Sequence, residues 1–190
     1  MENTLLVGDF LLVNKAVYGA QVPLTKKHLP EFKEPTRSDV VVFVPPHEPD
    51  KNYVKRLIGI AGDTLQMRDK VLFLNGAPQD EPYVRHSDPN HDVYAPNMYW
   101  QCDFRPVQQQ DGDCRPTRDN WGPVVVPDGR YMMLGDNRDD SEDSRYWGFV
   151  ERGAIKGRPL FIYYSFDSST LRPFPWLTQI RWGRIGGSIN

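Results

Sequence analysis

Short apolar runs, broken every few residues by proline and glycine, predict a mostly β fold with many turns for this 190-residue chain. Its 17 prolines and 15 glycines disfavour long helices, because proline removes a helix hydrogen bond and clashes with the preceding turn. The apolar runs themselves are short, as strands are. At this length the chain can fill one domain, or one domain carrying a sizeable insertion.

Taken in order, Leu5-Leu6-Val7 and Phe10-Leu11-Leu12-Val13 read as strand material broken by a turn at Gly8-Asp9. Residues 19–38 are polar with three prolines and read as a surface loop. Val40-Val41-Val42-Phe43-Val44 is a β-branched run stopped by Pro45-Pro46, a short buried strand. Tyr53 to Ile60 is the next strand, closed by Ala61-Gly62-Asp63. Thr64–Met67 and Val71–Leu74 flank Arg68-Asp69-Lys70 as in a hairpin, and Asn75-Gly76 marks another turn. From about Ala77 to Gly129 the composition becomes rich in Pro, Asp and Gln, with few apolar runs before Val124-Val125-Val126. This stretch reads as a peripheral insertion. Tyr131–Leu134 and Leu160–Phe166 return to strand character.

Charge is nearly balanced, with 23 Lys+Arg against 25 Asp+Glu for a net of −2. No basic stripe is present, so nucleic acid is excluded as the expected partner. No run approaches the roughly 20 apolar residues of a membrane helix, and Met1-Glu2-Asn3-Thr4 lacks the basic start and apolar block of a secretory signal. Taken alone the chain reads as soluble. Cys102 and Cys114 lie in a polar, loop-rich stretch. They fit a disulfide in an oxidising compartment, two unrelated thiols, or a zinc site with His86 and His91, although the short Cys-x-x-Cys turn of strong zinc motifs is missing. The expectation adopted for them is an approach close enough to bridge.

The densest chemistry lies in Gly135 to Gly148, where two serines, five acids and two arginines occupy fourteen residues. Apolar Tyr131–Leu134 precedes it and Tyr146-Trp147 closes it, so its polar groups must satisfy one another or build a site. A second segment, Tyr53-Val54-Lys55-Arg56-Leu57-Ile58, places a lysine inside a strand. Near pH 7.5 only roughly one lysine in a thousand is neutral at its reference pKa, and burial among apolar neighbours raises that fraction. Strand neighbours point to opposite faces, so Lys55 can be buried while Arg56 meets an acid on the other side. A lysine at a solvated edge is the plain alternative. Calcium does not fit the acidic stretch, since EF-hand spacing puts Arg138 on a ligand position. The four histidines lie in proline-interrupted polar stretches, away from the setting of a Ser-His-Asp triad.

The residues around Lys55, Gly62-Asp63 and the run Gly135-Asp136-Asn137-Arg138-Asp139-Asp140-Ser141 through Asp143-Ser144-Arg145-Tyr146-Trp147-Gly148 resemble bacterial type I signal peptidases. So do Gly8-Asp9-Phe10-Leu11-Leu12-Val13-Asn14-Lys15 with Tyr18-Gly19, Asp39-Val40-Val41-Val42-Phe43, and Arg184-Ile185-Gly186-Gly187. The resemblance runs in order along nearly the whole chain with one variable insertion.

It implies a mostly antiparallel β catalytic core from 1–63 and 130–190, with 64–129 as an inserted β-rich subdomain. It also implies a serine endopeptidase using a Ser-Lys dyad, which removes N-terminal signal peptides from exported preproteins at the membrane surface. By motif match Lys55 is the general base and Ser141 orients its amine. Asp136 with Arg56, and Asp143 with Arg145, match structural ion pairs. Met1, Leu5, Leu11, Tyr53 and Val54 match positions lining pockets for small side chains, where the peptide adds as a β-strand. No cofactor and no metal is implied. The location implied is the inner membrane, with the catalytic domain on its extracytoplasmic, periplasmic side. Leu171 to Leu177 with Trp182 read either as packing or as an interfacial surface.

One departure stands out. The family motif Ser-Met-x-Pro-Thr-Leu aligns its methionine with Met1, so its serine falls immediately before residue 1, and Asn3 replaces the proline. A start assigned too late, a trimmed chain and a degenerate homologue all accommodate this, and the chain as given is expected to be inactive. The alternatives are a non-catalytic preprotein-binding homologue and a Ser-Lys autoprotease of the repressor-cleavage type.

Overall fold

The computed structural model describes residues 5–19, 32–88, 90–109, 113–170 and 172–189. Val40–Phe43 (β2) is buried at all four positions, as its unbroken apolar run requires. It pairs with Tyr53–Gly59 (β3), setting Val41 opposite Lys55 and Val40 opposite Arg56. On the other side of β3 lies Arg130–Leu134 (β8), whose pairing begins only at Arg56 opposite Leu134. Among the described residues, Tyr53 to Lys55 thus have no strand partner on the β8 side. Asp9–Asn14 (β1), Val150–Glu151 (β9) and Ile155–Ser165 (β10) complete an antiparallel sheet in the order β1-β10-β2-β3-β8-β9.

A second antiparallel sheet runs β6-β5-β4-β7. Its members are Thr64–Arg68 (β4), Val71–Leu74 (β5), Ala77–Pro78 (β6) and Trp121–Val125 (β7). Asp69 and Lys70 turn β4 into β5 with φ of 46° and 69°, and Asn75-Gly76 turns β5 into β6 with 52° and 83°. Positive φ at both central residues gives the turn twist that matches strand twist. Ile58, Met132 and Leu134 of the first sheet share one buried cluster with Leu65, Met67, Leu72, Trp121 and Val124 of the second. The sheets are therefore joined by core as well as by chain. Between Pro78 and Trp121 the described residues form turns and two 3-10 stretches, Pro96–Phe104 and Val107–Gln109, with no strand.

The structure differs from the sequence reading at two strands. Leu5–Val7 is a turn: the Leu6 N–H donates to Asp9 Oδ2 and the Asp9 N–H to Leu6 O, with Gly8 at φ 96°. A Cβ on Gly8 would overlap Phe166 O, so the chain can pass there only without a side chain. The final long strand starts at Ile155 rather than Leu160. Gly157 and Pro159 hide its first half from pattern reading. The strand accommodates them with irregular register, pairing Ile155 and Gly157 with β2 and Arg158 onward with β1. Most of the 19–38 loop, residues 20–31, lies outside the described residues.

The C-terminal segment returns to this sheet. Arg184 Nη2 donates to Asp9 Oδ2 at 2.6 Å, Ile162 N–H to Gly187 O at 3.1 Å, and Ile189 is buried beside Val40 and Ile162. Two one-turn helices complete the architecture, Ser144–Trp147 (α1) and Pro175–Thr178 (α2).

Candidate active site

Lys55 is the third residue of β3 and only 9% exposed. Its Nζ donates to Ser141 Oγ at 2.7 Å, across 86 residues of sequence. Burial lowers the lysine pKa, because the ammonium has lost water. Asp143, Glu142 and Asp136 oppose that shift and Arg145 adds to it, and the outcome lies below the usual 10.5. The Tyr53 ring, on the same face of the strand, lies 5.8 Å from Nζ. An amine N–H held by Ser141 leaves the nitrogen lone pair of the neutral form pointing elsewhere, as a general base requires.

Gly135, just past β8, makes the contact possible. A Cβ there would overlap Ser141 Oγ and lie 3.5 Å from Lys55 Nζ. The sequence reading counted Gly135 in the motif without a role, and no local pattern reveals this close approach.

Arg56 projects to the opposite face and meets Asp136 in a two-pronged pair, Nε and Nη2 each 2.9 Å from a carboxylate oxygen. It also donates to Ser38 O at 3.0 Å and stacks 4.0 Å from the Tyr83 ring centroid. Arg145 Nε and Nη2 each donate to Asp143 at 2.8 Å, with both side chains fully buried. Asp143 also accepts from the Gly135 N–H at 3.0 Å and caps α1 through the Arg145 N–H. Burial works against its charge, yet Arg145, Lys55 and the Gly135 N–H together hold its pKa below the usual range. Ser144 Oγ accepts from the Met133 N–H at 3.0 Å, tying the helix start to β8.

The rest of the acidic stretch is clamped from the 64–129 region, which sequence reading did not anticipate. Arg138 donates to both oxygens of Glu81 at 2.9 and 2.6 Å. Asp139 accepts from the Asp88 N–H at 2.7 Å and from Lys70 at 3.0 Å, with His86 Nδ1 at 3.1 Å. Arg118 and Asp119 form a further buried pair beside them. His47 stacks on Trp147 with 5.6 Å between ring centroids, and its Nε2 lies 3.5 Å from Glu142, the neighbour of Ser141.

The expected pocket residues divide. Leu5, Leu11 and Val54 pack against one cluster with Val40, Ile162 and Ile189. Tyr53 packs against another, with Phe43, Leu57 and Met133, and its hydroxyl donates to Glu48 at 2.6 Å. Met1 lies outside the described residues. Cys102 and Cys114 are joined in a disulfide with Cα atoms 5.9 Å apart, which leaves neither sulfur as a free thiol or a zinc ligand. Among the described residues no group of His, Cys, Asp and Glu could hold a metal ion.

A family model described as signal peptidase, peptidase S26, matches residues 1–164. Signal peptidase I of Buchnera aphidicola (subspecies Acyrthosiphon pisum) is 33% identical over 226 residues, covering 98% of this chain and 71% of the relative. That of Pseudomonas fluorescens is 34% identical over 194 residues, covering 95% and 67%. The Aquifex aeolicus enzyme is 33% identical over 212 residues, covering 91% and 75%. The matched span includes Lys55, Gly135 and the whole acidic stretch, and the chain belongs to the signal peptidase, peptidase S26, family.

Proposed function

We propose that this chain is the catalytic part of a serine endopeptidase that cleaves signal peptides from exported preproteins through a Ser-Lys dyad. The observation that carries the reading is the 2.7 Å contact between a buried Lys55 amine and Ser141. The nucleophile is a serine placed immediately before Met1, where the family motif has it. Its Oγ attacks the scissile carbonyl while its proton passes to the Lys55 amine. The ammonium then gives that proton to the leaving amine as the acyl-serine ester forms. Lys55 next takes a proton from water, which attacks the ester and frees the serine. Ser141 orients the amine throughout. The Arg56–Asp136 and Asp143–Arg145 pairs are positioning groups.

The substrate adds as a strand along Tyr53–Lys55, where β3 lacks a partner on the β8 side among the described residues. Leu5, Leu11, Tyr53 and Val54 line the pockets for small side chains. Membrane contact is proposed through the exposed Phe10, Leu12, Tyr163, Trp176, Leu177 and Trp182. Tryptophan and tyrosine favour the headgroup layer, and the Tyr164 hydroxyl bonds to Trp176 O, fastening α2 to β10. Among the described residues no helix is long and apolar enough to cross a membrane. The disulfide supports an extracytoplasmic location at the inner membrane.

The test compares preprotein cleavage by the chain as given, the chain with serine added before Met1, and Lys55→Met and Ser141→Ala in the latter. The expected results are activity only with the added serine, its loss by roughly 10²–10⁴-fold or more in Lys55→Met, and about a tenfold drop in Ser141→Ala. Robust cleavage by the chain as given, or by Lys55→Met, would sink the dyad. Binding of preprotein without cleavage by the serine-extended chain would favour a non-catalytic homologue.

A further inference from the structure

The four-residue helix α1 carries Asp143 at its cap and Arg145 within it, and a single turn of helix does not hold its own shape in water. Its partners therefore decide where those two charges sit. The chain leaves α1 at Gly148, with φ 95°, so carbonyls of the last turn depend on donors outside the helix. Arg145 O has two, one for each lone pair. Trp100 Nε1 and Gln101 Nε2 each donate to it at 3.0 Å, from the 3-10 stretch Pro96–Phe104 of the insertion. Both Arg145 and Gln101 are buried. That stretch is itself anchored three ways. Met98 is fully buried in the cluster shared by the two sheets. The Trp100 and Phe104 rings meet Phe149 edge-on at 4.9 and 5.1 Å, and Cys102, next to Gln101, is bridged to Cys114.

The route from this carbonyl to the dyad is short. Arg145 holds Asp143 through its side chain and its N–H. Asp143 accepts from the Gly135 N–H at 3.0 Å, and Gly135 is where the backbone leaves room for Ser141 against Lys55. Arg145 Nη2 also reaches Ser141 O at 3.5 Å. We infer that Trp100 and Gln101 are positioning residues for the dyad: by holding the Arg145 carbonyl they fix α1, and through Asp143 and Gly135 the approach of Ser141 to Lys55. The insertion thus supports the site from behind through side chains that touch neither member of the dyad. Two donors on one carbonyl also make the support redundant. Removing either leaves the carbonyl a partner, whereas removing both strips a buried acceptor of its two side-chain donors. Lys55 reports the change, because its titration depends on lost water and on Asp143, Arg145, Glu142 and Asp136 around it.

The test follows the titration of Lys55 by its ¹³Cε signal in the chain as given, for the parent, Trp100→Phe, Gln101→Met and the double variant. Phenylalanine keeps the ring contacts and methionine the side-chain length, so each change removes the donor and little else. Loosening α1 admits water to the amine. The double variant should therefore titrate nearer 10.5, at a pH higher than the parent's by about half a unit or more, and each single variant should move the same way by less. Met98→Ala is the control, on the same stretch and in the same core but with no donor for Arg145 O. It should lower thermal stability and leave Lys55 titrating as in the parent. If the double variant is unfolded, the two single variants against Met98→Ala decide in the same way. In the serine-extended chain the double variant should lose about tenfold to a hundredfold in kcat with KM unchanged. That arm rests on the dyad reading. A serine-extended parent that does not cleave defeats that reading, while the Lys55 titration still decides this one. A titration that no donor variant moves, or that Met98→Ala moves as far as they do, overturns the inference.

Discussion

At the scale of single residues, Lys55 keeps 9% of its surface in water and donates to a hydroxyl instead of a carboxylate. Its ammonium is thereby disfavoured, and cleavage by the serine-extended chain should rise with pH through the lowered pKa. Stability carries the same sign. Between the lowered folded pKa and 10.5 the unfolded chain binds more protons than the folded one, so stability rises with pH across that window. Below it the full cost of the buried ammonium remains. Lys55→Met removes that cost, and its melting temperature should equal or exceed the parent's at neutral pH, the gap narrowing as pH approaches 10. A variant clearly less stable than its parent at pH 7 would mean the amine is a structural anchor. Gly135→Ala forces a methyl into Ser141. It should cost about 1–3 kcal/mol by overpacking and reduce cleavage more than Ser141→Ala does, since it also moves the loop. Cleavage kinetics and denaturant unfolding of the two variants side by side check this.

Among the elements, the acidic stretch after β8 keeps its shape because segments far away in sequence satisfy its charges. Burial raises the Asp139 pKa, but the Asp88 N–H, His86, Lys70 and Arg118 outweigh it and bring the carboxyl from 3.8 down to about 2. A carboxylate depressed in this way contributes stability that is present above 3.8 and lost as pH falls toward 2. The shift corresponds to about 2 kcal/mol. Asp139→Asn should lose roughly that amount at pH 5, and its deficit against the parent should shrink steadily on acidification toward pH 2. Urea unfolding at several pH values measures it, and a deficit that does not change with pH would show that hydrogen bonding, not charge, is what Asp139 supplies.

For the molecule as a whole, the two sheets share a buried cluster, and the C-terminal segment is latched to the first sheet through Arg184 and Asp9. This arrangement leaves the aromatic side chains of β1, β10 and α2 in water. If that surface meets lipid, Trp176→Ala/Trp182→Ala should weaken binding to anionic vesicles several-fold, because each indole loses its place at the interface. Cleavage of a short soluble peptide by the serine-extended chain should not change. Vesicle co-sedimentation indistinguishable from the parent would assign these residues to packing alone.

Sequence alone determined those features that repeat locally or are spelled by turn residues. Unbroken Val40–Phe43 dictated a strand buried throughout, and Asn75-Gly76 a hairpin turn. Strand alternation sent Lys55 and Arg56 to opposite faces, and motif resemblance singled out Ser141 and the two acid-arginine pairs. Other features were decided only when distant segments met. Gly8 turned Leu5–Val7 out of a strand because Phe166 lies against it, and β10 absorbed Gly157 and Pro159 because β1 and β2 each pair with part of it. Glu81 found Arg138, and Lys70 with His86 found Asp139, across more than fifty residues of chain. Polar partners at that separation leave no periodic trace, since loop closure sets no spacing rule between two charges. The lysine's lowered pKa belongs to the same class: it comes from lost water, and water is lost only where the finished fold excludes it.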